Sequence, residues 1–196
     1  MARIIYLFYP AYDLIKTFGR NSMGSFCGII DFSARNTNFD AMTKMWKTMA
    51  PLCRGYSYVR GGIALVCEKG KYMSATRPAP TSSGRRENCT VMLSSPPSSP
   101  LFASELLCRY ANDGLWGLGE ATREASFVLV DEKEKLLALF SGDCPIFCAR
   151  SGEKIVFATC REALVAFSVA ASSPLLVCPV EISPMGTALF CDVKSE

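Results

Sequence analysis

The sequence predicts an α+β fold in which helices lie between antiparallel hairpins. In "ASFVLVDEKEKLLALF", two strand-length apolar runs enclose a charged turn at Asp131 to Lys135, and "PIFCARSGEKIVFAT" repeats that form around Ser151 to Lys154. Two runs with apolar residues at helical spacing, "NFDAMTKMWKTMAPLC" and "CREALVAFSVA", stand before and after these hairpins. Such elements bury their apolar faces on one another, which makes sheets covered by helices. With 196 residues the chain can bury a core and fits one domain, or one with an appendage.

Taken in order, Met1 to Ser22 reads as a small extra strand or helix, or as an extension ahead of an older start at Met23. "FCGIIDFS" is a short apolar strand ending in turn residues. In the first helix Phe39, Met42, Met45, Trp46 and Met49 share one face, with Asn38 as cap and Pro51 beyond the last turn. That stripe is core-facing or, on a second reading, a partner groove. "YSYVRGGIALVCEKGKYMSA" reads as a hairpin turning at Glu68 to Lys71. From Arg77 to Pro100 the chain is rich in Pro and Ser, with one strand, "CTVML", flanked by loops. Ser104 is placed to cap "ELLCRYANDGLWGL", a helix or pair of helical turns ending near Gly114. After the two hairpins and their helix, "LLVCPVEISPMGTALFCDV" returns to short strands around a Pro-Met-Gly turn.

Composition narrows the function classes. The 21 Lys and Arg are scattered among 18 Asp and Glu, so no basic stripe marks a nucleic-acid surface. No run approaches the ~20 apolar residues of a membrane span, and no cleavable signal follows the early apolar run, which Pro10 breaks. The expected partners therefore include neither nucleic acid nor membrane. Ten cysteines are dispersed in apolar segments, which reads as reduced core thiols in a cytoplasmic protein. No CxxC pair and no histidine are present, so neither a zinc site nor an imidazole base is expected. Cys144 and Cys148 are read as sharing one strand face, too far apart to clamp one metal. On its own Cys27 reads as a small core residue or as a nucleophile at the mouth of a strand.

The order of these pieces resembles a known family. The Cys27-Gly28 pair opening a strand, the helix, the Arg54-Gly55 dipeptide, the hairpin beginning at an arginine, and the run Phe127 to Ala166 with "PIFCAR" and "IVFATCREAL" resemble the glutaminase domain of asparagine synthetase. "VEISPMGTAL" is similar to that family's late Pro-Gly turn. The family is a class II glutamine amidotransferase of the N-terminal-nucleophile (Ntn) hydrolase kind. The resemblance implies a four-layer αββα sandwich of two antiparallel sheets flanked by helices. It also implies a division into an N-terminal extension or propeptide, residues 1–26, and an amidotransferase-like domain, residues 27–196.

For chemistry, the resemblance makes Cys27 the catalytic nucleophile once its own α-amino group is freed to take the thiol proton, a mechanism that needs no histidine. Arg60 falls where the family grips the glutamine α-carboxylate, a task suited to a planar guanidinium; read alone, it is a surface arginine at a strand end. Ser94 and Ser95 fall where an Asn-Gly pair supplies oxyanion donors and helps hold the substrate. The sequence departs from the family at Tyr56 and Ser57 (for Pro and Asp), at Ser94-Ser95-Pro96, and at Ala103, where an aspartate binds the substrate amine. Two functions follow. One is a stand-alone glutaminase that uses no cofactor, takes glutamine as ligand and feeds ammonia to a separate ATP-dependent synthetase subunit. The other is a catalytically degenerate subunit of the same fold, serving as binding or scaffold partner of a synthetase complex.

Overall fold

The computed structural model describes residues 4–7, 26–34, 39–50, 55–68, 75–80, 86–94, 102–123, 125–171, 180–182 and 186–191. In chain order these form β1 (Ile4–Leu7), β2 (Phe26–Ile30), α1 (Phe39–Met49), β3 (Gly55–Arg60), β4 (Ile63–Glu68), β5 (Ala75–Pro80), β6 (Arg86–Leu93) and α2 (Phe102–Asp113). A 3₁₀ segment (Gly114–Arg123) follows, then β7 (Phe127–Asp131), β8 (Leu136–Phe140), β9 (Ile146–Ser151), β10 (Lys154–Ala158), α3 (Arg161–Ala170), β11 (Val180–Ile182) and β12 (Thr187–Cys191). All strand pairs are antiparallel and they build two sheets, in the orders β1-β12-β8-β7-β6-β5 and β11-β9-β10-β2-β4-β3. The protein is therefore α+β.

Side-chain alternation distributes each strand between two cores. Every residue of β2, β7 and β8 is buried, which requires cover on both faces. One cluster joins the two sheets: Val128, Val130, Leu137 and Leu139 pack with Phe26, Ile30, Leu65 and Phe157. The opposite face of the second sheet, with Cys27, Ile29 and Val156, packs with Met42 and Met45 of α1 and Leu164 and Phe167 of α3. The opposite face of the first sheet, with Phe127, Leu129 and Val91, packs with Leu106 and Leu107 of α2 and Leu118 of the 3₁₀ segment. Each large apolar side chain so enclosed contributes about 1.5–3 kcal/mol over its exposed state.

Several expectations need correction. The β3–β4 hairpin turns at Gly61-Gly62, between the paired Arg60 and Ile63, and not at Glu68 to Lys71. Gly61 has φ +53°, the left-handed conformation that a two-residue hairpin loop asks for. The stretch from Arg77 holds two strands where one was expected, because β5 carries Pro78 and Pro80 yet lies at the sheet edge, where a missing N–H is tolerated. Ser104 sits inside α2, which begins at Phe102. Cys144 precedes β9 and does not share its strand with Cys148. In α1 the buried face is Met42, Met45 and Trp46 with Ala41, whereas Phe39 is exposed. Residues 4–7 of the expected extension form β1, the edge strand beside β12. Asn38, Pro51 and Arg54 lie outside the described residues.

Candidate functional site

Cys27 lies in the second position of β2, paired with Val66 on one side and Ala158 on the other. Its side chain points into the cluster shared with α1 and α3 and is fully buried. Burial pushes the thiol pKa far up, and the neighbouring Cys67 and Cys160 add to the rise, so the group is protonated at neutral pH. Gly28 follows because a Cβ there would run into the Phe157 ring and Leu65. The Phe26–Cys27 peptide bond is held through its carbonyl, which accepts the Thr159 N–H at 3.1 Å, and the Phe26 N–H just before it donates to Thr159 Oγ1 at 3.3 Å. The nitrogen of Cys27 in this chain is an amide and has no lone pair with which to take a thiol proton.

Arg60 ends β3, the edge strand of the same sheet. Its guanidinium is half-exposed and lies 3.4 Å from Glu132 Oε1, which also accepts the Tyr58 hydroxyl at 2.9 Å. Cys27 shares its row with Val66 and Ser57, and Arg60 shares the row of Ile30 and Ile63, three residues away. That places Arg60 roughly 10 Å along the strands and about 10 Å across them from Cys27.

Ser94 follows the last residue of β6, in the other sheet, and is fully buried. Its hydroxyl donates to Asp143 Oδ1 at 2.6 Å and accepts the Ser126 N–H at 3.1 Å. The same Asp143 oxygen accepts Ser126 N–H at 2.6 Å. The Ser126 hydroxyl donates to the Cys144 carbonyl at 2.6 Å and accepts N–H from Gly142 and Cys144 at 2.8 and 3.0 Å. Ser141 completes the cluster, its hydroxyl on the Cys144 carbonyl and its N–H on the Gly186 carbonyl. The Cys144 thiol, enclosed here, is raised to about 12, chiefly by burial. The network ties the start of β7 to the loops after β6 and β8 and before β12.

Cys27 and Ser94 therefore stand at the same end of the two sheets, since Phe147, just past the Cys144 loop, shares a row with Ala158 and Cys27. Arg60 stands at the other end, beside the turn that follows β7. The Ser94 hydroxyl has one proton and Asp143 takes it. Ser95 lies outside the described residues, and so does the side chain of Ala103. The three described positions are not brought to one pocket.

No protein-family model matches this sequence, and no curated protein is significantly similar to it. Among the described residues no three Cys, Asp or Glu side chains converge to hold a metal ion, and no helix is long and apolar enough to cross a membrane. Reading the sequence alone assigns no part in a site to Ser126, Ser141, Asp143 or Glu132. "SGDC" between two apolar strands was the available signal, because polar residues enclosed by strands must find partners there.

Proposed function

We propose that the chain is a four-layer αββα, Ntn-hydrolase-like domain that acts, in its full-length form, as a non-catalytic binding or scaffold subunit of an amide-forming synthetase complex. The observation that carries this reading is Cys27: fully buried within β2, its thiol held protonated, its nitrogen an amide. The three shared clusters support the layer order, sheet against sheet with helices outside each. Arg60, beside Glu132 at the opposite end of the sheets from Cys27, and Ser94, engaged with Asp143, support a site whose expected substrate-binding groups do not converge.

A second reading, a glutaminase formed when residues 1–26 are removed, is favoured by one feature. A new start at Cys27 would shorten β2 by a single residue and keep the Cys27 pairs to Val66 and Ala158. Intact mass spectrometry before and after incubation with 6-diazo-5-oxonorleucine separates the two. Full-length protein without an adduct supports the non-catalytic subunit. A chain beginning at Cys27 that gains one adduct, lost in Cys27→Ala, supports glutamine as substrate and ammonia transfer to a separate ATP-dependent synthetase.

A further inference from the structure

The outer surface of α3 is apolar where a helix surface is ordinarily charged, while α1 beside it exposes Phe39 together with Asp40, Lys44 and Lys47. Phe39, Val165 and Val169 are large apolar residues there with 50, 56 and 76% of their surface exposed. α3 is charged only at Arg161 and Glu162, and from Ala163 to Ala170 it has no charge at all, although a helix with one face on a core normally carries polar residues on the other. Val165 and Val169, four apart, form one row along that outer face.

Connectivity sets the ends of this layer. α1 starts beyond the Ile30 end of β2 and leads to Gly55, next to the row of Phe26, Cys67 and Tyr56. α3 starts beyond Ala158, at the Cys27 end, and returns over Val156. The helices therefore run antiparallel. Phe39 and Asp40 lie at the end where α3 finishes, and Arg161 lies at the end where α1 finishes.

We propose that this face joins two copies of the chain about a two-fold axis, α3 antiparallel to α3. The charge pattern selects a second copy as the occupant. The two-fold brings Arg161 of each copy to the Phe39–Asp40 end of the other, where it meets a carboxylate and an aromatic face. It also supplies a cation at the C-terminus of an α3 that has no basic residue in its own last turn. Glu162, which would otherwise face Asp40, is turned back to accept a hydrogen bond from Cys160 Sγ at 2.7 Å. At the centre, Val165 and Val169 are flanked by Ala166 and Ser168, small enough for close helix approach. Lys44 and Lys47 of α1 provide a polar rim. This inference does not depend on how Cys27 is read.

Sedimentation equilibrium of the full chain over a wide concentration range tests it. The mass is expected to rise from 21.4 kDa towards twice that value. V169K, at an exposed position, raises the dissociation constant about tenfold or more, with the circular dichroism spectrum unchanged and the thermal midpoint unchanged at dilutions where both chains are monomeric. D40R weakens association in the same way and D40R/R161D restores it. A wild-type chain that stays monomeric, a dimer indifferent to V169K, or a double variant no better than D40R overturns the proposal. A monomer whose Val169 face is protected by a different protein overturns it too, and assigns the face to that protein.

Discussion

At Cys27 and Ser94, reactivity and burial make opposite demands. A nucleophilic thiol needs access and a depressed pKa, and the Cys27 thiol has neither, being enclosed by the α1 and α3 side chains. Cys27→Ala is therefore expected to lower stability by only about 1 kcal/mol, the loss of a small buried group, when measured by chemical denaturation. Timed alkylation with mass detection should label the exposed Cys108 at once and Cys27 only on unfolding. Rapid labelling of Cys27 in the native protein would contradict this assignment. Ser126 stands differently, because its hydroxyl serves two backbone N–H groups and one carbonyl at the Cys144 loop. Ser126→Ala takes the acceptor from the Gly142 and Cys144 N–H groups, while the Cys144 carbonyl keeps the Ser141 hydroxyl, and a loss of about 2–4 kcal/mol is expected in the same measurement. A change below about 1 kcal/mol would mean that the loop relaxes to water.

The elements show where sequence pattern is enough and where it is not. Gly28 couples β2 to its neighbours β4 and β10, since Leu65 and the Phe157 ring pack where its Cβ would be. Gly28→Ala is expected to cost about 2 kcal/mol or more, and Phe157→Leu in the same chain should recover part of it, so the double variant is less unstable than the sum of the two. Strict additivity in thermal or denaturant unfolding would disprove the packing conflict. The hairpins β7–β8 and β9–β10 were legible because apolar runs enclosed charged turns, and α3 because its apolar spacing followed at once. β5 was not, since Pro78 and Pro80 mask a strand whose pairing is decided by its neighbour β6 and its edge position. The β3–β4 turn was missed although Gly61-Gly62 is a strong two-residue turn signal, because the charged stretch after Cys67 offered a competing one. Of the candidate site, the buried positions of Cys27 and Ser94 could be suspected from their apolar surroundings. The separation of Arg60 from both could not, because it depends on strand register and on which sheet each strand joins.

For the whole molecule, the distributed thiols set a pH dependence. Burial raises Cys67, Cys144 and Cys148 from 9.0 to about 12, and raises Cys27 further. In the unfolded chain these groups titrate near their ordinary value, so between pH 9 and 12 the folded state holds protons that the unfolded state has released. A group with a raised folded pKa contributes its full stability below the unfolded pKa and loses it as pH rises towards the folded one. Stability is thus expected to stay level from neutral pH to about pH 9 as far as these thiols are concerned. Above that it should fall, each thiol contributing up to about 1.4 kcal/mol per pH unit. Denaturation midpoints across that range test the sign, and a double variant, Cys67→Ser with Cys148→Ala, tests the cause. The variant starts less stable at pH 8 and should lose less between pH 9 and 11 than the parent chain. An equal alkaline loss in both would move the origin of the effect from these thiols to other groups, such as Tyr58, whose phenol burial also pushes up.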